Sequence, residues 1–339
     1  MANRAGGDGV PVQLRRVIKR WPVLWLGAGA SCQAEPPLPT LWQLIERLKN
    51  DSKWDDAPDE NDPYRIIDTF LSDRIGTRGD LDTFLEHSLR PGGTSSAPGP
   101  LHRHLAALAG VFPAVVDTNY DLLLRRALDD CQAPYTAAVL DRNLTLPDRG
   151  LRYLSLHGSV DDWSEIILTG ASYQTFATRY PFLQAQLDIL LVRHPVLFVG
   201  CSLQDPRLLT WLSARTAAER DKLKQWVAIL GPGEAARLDS MTWTDGRSYR
   251  DVLDHIVIVE LPDFATLPRW IQALAEPRRA ERSQQSRDLA IEIQAEADQW
   301  TFSALGETVT HAPFTSDDEL RALRAEVCRP IPCDEHGKL

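Results

Sequence analysis

The stretch WPVLWLGAGASCQA, residues 21–34, decides between two very different folds. A basic stretch over residues 15–20 precedes a short apolar run and several small residues, which is the outline of a secretory signal peptide. The same letters also describe a buried strand that runs into a glycine-rich turn, a turn that can hold a phosphate. The lipoprotein form of a signal places a leucine three residues before the cysteine. Gly29 stands there before Cys32, which favours the strand.

Composition and charge indicate a soluble globular protein. The chain has 339 residues, of which 43% are hydrophobic and 25% charged, enough for one elaborated α/β domain or two domains. The net charge of -10 argues against a general surface for nucleic acid or anionic membranes. No apolar run reaches the length of a membrane-spanning helix. We therefore expect a cytoplasmic protein that binds neither nucleic acid nor membrane directly.

The cysteine pattern predicts neither disulfides nor a metal. Five cysteines are spread along the chain without a CxxC pair, which fits neither a disulfide framework nor a four-cysteine zinc site. Cys328, Cys333 and His336 cluster near the end of the sequence, but a fourth ligand is not evident. Reduced thiols, with no bound metal, are expected.

Short runs of branched and aromatic residues alternate with segments of helical periodicity. The predicted strands span 22–26, 113–117, 151–156, 195–200, 225–230 and 255–261. The predicted helices span 40–50, 63–75, 101–110, 120–130, 181–194 and 206–223. This alternation predicts a Rossmann-like α/β fold, with a mainly parallel sheet and helices on both faces.

The spacing of these elements predicts the domain organisation. Close to ninety residues separate the first two predicted strands. A simple crossover connection between two parallel strands needs only about 10–12 residues. Residues 41–110 are therefore expected to form a helical insertion or subdomain. After Pro277 the sequence becomes polar and helix-prone, so we expect a main domain over 1–277 and a helical or irregular tail over 278–339. The tail is our candidate contact region for another subunit or a partner chain.

The first of four polar clusters follows the first predicted strand. Gly27, Ala28 and Gly29 allow a tight turn and close approach to a pyrophosphate, and Ser31 adds a hydroxyl donor. The strict dinucleotide fingerprint requires a third glycine where this chain has Cys32. A merely structural turn is the alternative interpretation.

The second and third clusters supply candidate catalytic groups. Thr118, Asn119 and Asp121 follow the second predicted strand, and an asparagine side chain offers both a donor and an acceptor. The alternative is that Thr118 or Asn119 caps the next helix. His157, followed by Gly158, ends the third predicted strand, and histidine is a natural base near neutral pH. The alternative is a histidine without chemistry.

The fourth cluster combines Gly200, Ser202 and Asp205. Gly200 permits a ligand to approach the backbone, and Ser202 or Asp205 can hydrogen-bond a ribose hydroxyl. Asp205 also precedes Pro206, a favourable first helical residue, so helix capping is a compatible role. Because ligands of open parallel sheets bind beyond the carboxyl ends of the strands, all four clusters are predicted to share one crevice.

In this order, the clusters resemble the sirtuin superfamily, the silent-information-regulator fold. Its members carry a GAG-x-S turn, an N-x-D element, a His-Gly pair and a late G-x-S element, which the four clusters match. LPTLW at 38–42, DPRL at 205–208 and the T-N-Y-D form of the second motif look like the bacterial branch. The resemblance covers roughly 15–275. The four-cysteine zinc ribbon of the protein deacetylases is absent, as is their acidic-phenylalanine-arginine run.

The resemblance implies where NAD, as substrate, would lie. The turn from Gly27 to Ser31 would hold the diphosphate, and Asn119 and Asp121 would line the nicotinamide-ribose pocket. His157 would act as the base.

By the same resemblance, Gly200 and Ser202 would flank the adenosine ribose. Thr118 and Asp205 complete the predicted binding set, and no metal is expected.

The zinc-less bacterial branch is known for breaking down NAD in antiphage defence. The resemblance therefore implies an NAD⁺ hydrolase that releases nicotinamide and ADP-ribose. We expect its activity to be gated by homo-oligomerisation or by a regulatory partner protein from the same operon. Two alternatives stay open at this point. One is an NAD or ADP-ribose sensor without turnover, and the other is a zinc-independent deacylase or ADP-ribosyltransferase.

Overall fold

The computed structural model divides the chain into two compact units, Met1–Arg278 and Arg279–Leu339. Within them, the structure describes residues 9–54, 63–73, 75–90, 95–144, 150–162, 165–215, 217–220, 223, 225–242, 246–276, 301–304 and 307–310. The first unit contains the predicted α/β fold.

Seven parallel strands form the sheet of the first unit, in the order β3-β4-β2-β1-β5-β6-β7. The strands are β1 (Val23–Leu26), β2 (Ala114–Asp117), β3 (Tyr135–Val139), β4 (Leu151–Ser155), β5 (Val196–Val199), β6 (Trp226–Leu230) and β7 (Ile256–Glu260). The strand interpretation of residues 22–26 is confirmed, since β1 lies at the centre of the sheet.

Central strand β1 is apolar throughout because both of its faces are covered. Leu24 and Leu26 belong to one buried apolar cluster, whereas Val23 and Trp25 belong to another on the opposite face. Successive side chains of a strand point to opposite faces, so a doubly covered strand reads as a continuous apolar run.

Helices cover both faces of the sheet, as the alternating pattern predicts. The described helices are α1 (Val12–Ile18), α2 (Leu41–Asp51), α3 (Pro63–Ser72), α4 (Arg78–Leu89), α5 (Pro100–Ala107), α6 (Leu123–Asp130), α7 (Gly170–Arg179), α8 (Pro181–Arg193), α9 (Pro206–Ser213), α10 (Ala217–Arg220), α11 (Glu234–Asp239), α12 (Tyr249–Val252) and a helix over 266–276. The first cluster takes residues from α1, α5, α6 and 266–276, and the second from α7, α8, α9 and α12. The predicted fold class is confirmed.

The insertion between β1 and β2 contains helices α2 to α5. Helices α2, α3 and α4 share a small apolar cluster, which includes Ile45, Ile66 and Leu81 and is completed by Ile166 and Leu168 from outside the insertion. Helix α5 instead contributes to the cluster on the sheet, so the separate helical subdomain reaches only from α2 to α4. It is narrower than the predicted 41–110.

Strand order places a topological switch at β1. The chain runs from β1 to β2 on one side and later returns to β5 on the other. Crossovers on either side of β1 leave a crevice at its carboxyl end, which is where open α/β sheets bind ligands.

The second unit contains an antiparallel pair, β8 (Thr301–Ala304) and β9 (Glu307–Thr310). The described part of the predicted helical or irregular tail is therefore a pair of strands. The helix-prone segments 281–300 and 315–327 lie outside the described residues, as do Cys328, Cys333 and His336. Across the described parts of the chain, none of the helices combines the length and apolarity needed to cross a bilayer.

Candidate active site

A cavity of about 640 Å³ opens at the carboxyl ends of the central strands. This volume lies within the range of roughly 300–1,000 Å³ that is usual for small-molecule sites. All of the predicted site residues line it, namely Gly27, Ala28, Gly29, Ser31, Thr118, Asn119, Asp121, His157, Gly200, Ser202 and Asp205. The four clusters therefore converge on one crevice, as their strand-end positions predict.

The glycine turn packs its backbone against the loop that follows β5. The Gly27 amide donates to the Val199 carbonyl at 3.0 Å, and the Gly29 amide donates to the Gly200 carbonyl at 2.8 Å. A Cβ atom on Gly29 would lie 2.9 Å from that same carbonyl oxygen. Glycine is required here by contact between two protein backbones.

Most amides of the turn are already engaged. The Ala30 amide donates to the Gly27 carbonyl at 2.9 Å, and the Ser31 amide donates to the Ala28 carbonyl at 3.0 Å. A diphosphate at this turn would need other donors, such as the Ser202 hydroxyl at the exposed rim of the cavity. Diphosphate binding by the turn stays a prediction.

The loop after β5 has a constrained backbone. Gly200 has φ +67°, and a Cβ atom there would lie 2.2 Å from the Ala30 nitrogen. Leu203 has φ +58°, an unusual value for a branched residue, while its side chain is buried in the apolar cluster below. The loop is thus anchored at both positions before it delivers Asp205.

Ser31 and Asp121 face each other across the cavity wall. The Ser31 hydroxyl donates to Asp121 Oδ2 at 2.6 Å, and Oδ1 of the same carboxyl accepts the Leu123 amide at 3.0 Å. Burial raises the pKa of Asp121. The pair ties the turn after β1 to the start of α6, a structural contact that the motif did not predict.

Asn119 carries a buried oxygen without a partner. Its Nδ2 donates to the Gly27 carbonyl at 3.3 Å, and its backbone amide donates to Asp117 Oδ1 at 2.9 Å. Its Oδ1 makes no hydrogen bond among the described residues, although the side chain is buried. Such an oxygen calls for an explanation, and a bound ligand or water is one.

The helix-cap alternative for the second cluster is wrong. Helix α6 begins at Leu123, and the side chain that accepts its first amide is that of Asp121. Thr118 instead donates its hydroxyl to the Leu26 carbonyl at 2.8 Å. Neither Thr118 nor Asn119 caps the helix.

A buried acid lies beneath Asn119. Asp117 ends β2 and accepts hydrogen bonds from the Asn119 amide and the Tyr153 hydroxyl. Burial, with the nearby Asp121 carboxylate, raises the pKa of Asp117 to about 8. No sequence motif predicts this pair, and its one signal is an aspartate that ends an apolar strand.

His157 is held on both sides of its ring. Nδ1 lies 3.0 Å from the Thr118 carbonyl oxygen, and Nε2 lies 3.2 Å from Asp205 Oδ2. The Tyr173 hydroxyl lies 3.2 Å from Nε2 and 3.5 Å from Nδ1. The side chain is 5% exposed. His157 is therefore fixed against the cavity by β2, α7 and the loop before α9.

Asp205 has two roles in the structure. Oδ1 accepts the amides of Arg207 at 2.8 Å and Leu208 at 3.2 Å, which confirms the predicted cap of α9. Burial alone would raise the pKa of this carboxyl, but His157, Arg207 and the helix amides outweigh burial and lower it. Asp205 is thus ionised at neutral pH beside His157.

An aromatic wall of the cavity was not predicted. Trp42 of α2, Tyr64 of α3 and Tyr173 of α7 line it. The Tyr64 and Tyr173 rings meet edge to face, with centroids 4.5 Å apart. No local motif marks these residues, because their helices reach the cavity only through tertiary packing. In the described chain, no group of acidic, histidine or cysteine side chains is arranged to hold a metal ion.

Comparison with known proteins gives a family match. A family model described as a SIR2-like domain matches residues 113–247. The NAD(+) hydrolase ThsA of Bacillus cereus (strain MSX-D12) is 30% identical over 63% of this chain and 44% of its own length. The chain thus spans less than half the length of that relative. The predicted resemblance to the sirtuin superfamily is confirmed.

Solved structures of Sir2 enzymes are also similar. One, from work on the mechanism and regulation of Sir2 enzymes, has 16% identity and a TM-score of 0.41 over 79% of this chain and 98% of that chain. Another, Sir2Tm bound to a propionylated peptide, has 14% identity and a TM-score of 0.38 over 77% of this chain and 97% of that chain.

Proposed function

We propose that the chain, of which residues 113–247 match a SIR2-like domain model, is an NAD⁺ hydrolase that yields nicotinamide and ADP-ribose. The observation that carries the proposal is the meeting of Asn119, with its unpartnered buried oxygen, and His157 at the same cavity as the glycine turn. The name of the relative ThsA, an NAD(+) hydrolase, supports the same activity.

The reaction breaks the bond between the nicotinamide nitrogen and C1 of the ribose. The bonding electron pair goes to the nicotinamide ring, which leaves neutral, and positive charge develops on the sugar. Water then forms the new bond to C1 and loses a proton. The site must therefore orient the ribose, stabilise positive charge and take up a proton, and it needs no strong acid on the leaving group.

The side chains of the cavity supply these functions. Asn119 Oδ1 can accept a hydrogen bond from the attacking water or from a ribose hydroxyl. His157 takes the proton, and general-base help of this kind contributes about 10²–10⁴-fold. The ionised Asp205 carboxylate lies 3.2 Å from His157 Nε2 and would offset the positive charge that the ring gains with the proton.

Nicotinamide release from NAD by the purified full chain tests the proposal. We expect turnover by the wild type, and a loss of at least about 100-fold in Asn119→Ala and in His157→Ala. His87→Ala, a change at an exposed histidine of α4 away from the cavity, is the matched control and should behave as the wild type. Thermal unfolding should show that all three variants are folded.

Three results would contradict the assignment. Wild-type turnover in both cavity variants would remove their catalytic roles. NAD binding without nicotinamide release would indicate a sensor. Transfer of labelled ADP-ribose, or removal of an acyl group from a peptide, would indicate the transferase or deacylase alternative.

We further propose that the enzyme is cytoplasmic and serves antiphage defence in a gated form. NAD is shared with the host cell, so free-running hydrolysis would be toxic. Gating by homo-oligomerisation predicts that specific activity changes with protein concentration together with the mass measured by light scattering. Constant activity across a change of oligomeric state would argue for control by a partner chain from the same operon instead.

A further inference from the structure

We propose that Arg237 binds the diphosphate of NAD and supplies the positive charge that the glycine turn lacks. This inference rests on the proposed NAD hydrolysis and names a binding residue for its substrate, in a helix outside the four sequence motifs. Both phosphates of the substrate are ionised at neutral pH, so their site needs compensating charge as well as hydrogen-bond donors.

The charged side chains around the cavity are mostly acidic. Asp121, Asp205 and Glu234 line it. Among the described residues of the lining, Arg237 is the one lysine or arginine. A guanidinium stays protonated, and its planar fork of N–H donors fits the oxygens of a phosphate. Without Arg237, a bound diphosphate would meet acidic groups with only His157 to offset them.

The glycine turn has few donors left for an anion. Apart from Ala28, every residue of the turn from Gly27 to Ser31 donates its amide to a protein carbonyl. The Ser31 hydroxyl is engaged as well, since it donates to Asp121 Oδ2 at 2.6 Å. The donors that hold a diphosphate beside this turn must therefore come from other elements.

Tertiary contacts link Arg237 to the turn. The guanidinium carbon of Arg237, on α11, lies 5.7 Å from the ring centroid of Trp42, the second residue of α2. The Leu38 amide donates to the Ser31 carbonyl at 3.1 Å, which fixes the segment before α2 against the turn. Arg237 thus reaches the cavity from the helix after β6 and contacts the element that begins beside the turn.

The Arg237 side chain is available to a ligand. It is exposed, and it has no ion pair among the described residues. The two acids of α11 have other contacts. Glu234 Oε2 accepts the Gly231 amide at 2.8 Å, and Asp239 lies 3.9 Å from Arg250. A ring contact on one face of a guanidinium leaves the N–H groups at its edge able to donate to phosphate oxygens.

Binding of ADP-ribose to the full chain tests the contact without turnover. We expect Arg237→Gln to weaken ADP-ribose binding at least about tenfold, because a charge-assisted hydrogen bond to phosphate is lost. Arg237→Lys keeps the charge and should lose less. Adenosine, which has no phosphate, should bind Arg237→Gln and the wild type equally. Calorimetry measures the affinity for ADP-ribose, and an NMR titration measures the weaker binding of adenosine.

Arg250→Gln is the matched control. Arg250 is also an exposed arginine beside α11, but it does not line the cavity. Its replacement should leave both affinities as in the wild type. Unchanged ADP-ribose affinity in Arg237→Gln, or no ADP-ribose binding by the wild type, would overturn the inference. An equal loss of affinity for ADP-ribose and adenosine would also overturn it, because Arg237 would then shape the cavity without contacting phosphate.

Steady-state kinetics give a second readout. The diphosphate does not change during the reaction, so its contact with Arg237 is made equally before and in the transition state. Arg237→Gln should therefore raise KM for NAD about tenfold while kcat stays nearly unchanged. A lower kcat at unchanged KM would contradict a binding role. Weaker ADP-ribose binding by Arg237→Gln, with no nicotinamide release by the wild type, would support the diphosphate contact while refuting the proposed hydrolysis.

Discussion

The glycine turn after β1 and the polar cluster after β2 and β4 face the same cavity, yet they are built differently. In the turn, the amides of Gly27, Gly29, Ala30 and Ser31 all donate to protein carbonyls. In the polar cluster, the Asn119 Oδ1 has no partner among the described residues. The glycines are thus explained by packing alone, whereas the polar cluster calls for a ligand. A glycine motif that is associated with phosphate binding can therefore be required for packing within the protein itself.

The largest effect expected from this comparison is on stability. Gly200→Ala should lower the free energy of unfolding by about 2–4 kcal/mol, because its Cβ would meet the Ala30 nitrogen and its φ is positive. Gly233→Ala is the matched control, since Gly233 also has positive φ but open space around it. It should cost only about 1 kcal/mol. If both variants lost the same free energy of unfolding in urea, contact between residue 200 and the turn would contribute nothing to the loss.

A smaller effect should appear in the pH dependence of stability. The pKa of Asp117, raised to about 8 in the fold, favours the protonated acid. The stability that protonated Asp117 gives the fold is fully present below pH 3.8, the pKa in the unfolded chain. It is lost as the pH rises through about 8, the pKa in the fold. Asp117→Asn does not titrate, so its stability relative to the wild type should increase by about 1.4 kcal/mol between pH 6 and pH 7.

Thermal unfolding at several pH values measures this difference directly. Asp130→Asn, at an exposed carboxylate of α6, is the control and should run parallel to the wild type. If the stability of Asp117→Asn also changed with pH as that of the wild type does, Asp117 would be ionised in the folded protein.

The smallest effect separates packing from binding at the turn itself. Ser31→Ala removes the hydrogen bond to Asp121 and should cost about 1 kcal/mol of stability, with KM for NAD nearly unchanged. Ser240→Ala, which removes a surface hydroxyl bonded within its own helix turn, is the control. A higher KM at unchanged stability would mean that the Ser31 hydroxyl contacts the substrate, contrary to the packing explanation.

The main elements of the fold could be predicted from local pattern. The six predicted strands appear close to their expected bounds, because buried parallel strands are short, apolar and bounded by turns. Strand β3 was missed, since its alanines have weak strand preference and only every second residue is buried. The predicted elements also lack α4, α7, α11, α12, the helix over 266–276 and strands β8 and β9. The predicted helix over 206–223 is divided into α9 and α10.

The sequence by itself determined the fold class, the SIR2-like motifs and the set of residues at the cavity, because each follows from short-range pattern and strand-end position. Tertiary structure alone decided the partners of these residues. Only the assembled fold shows that Ser31 faces Asp121, that Gly29 packs on Gly200, and that Tyr173 reaches His157 from a helix outside the motifs. The physical reason is that hydrogen bonds and burial depend on distances between segments far apart in the chain, which no local pattern specifies.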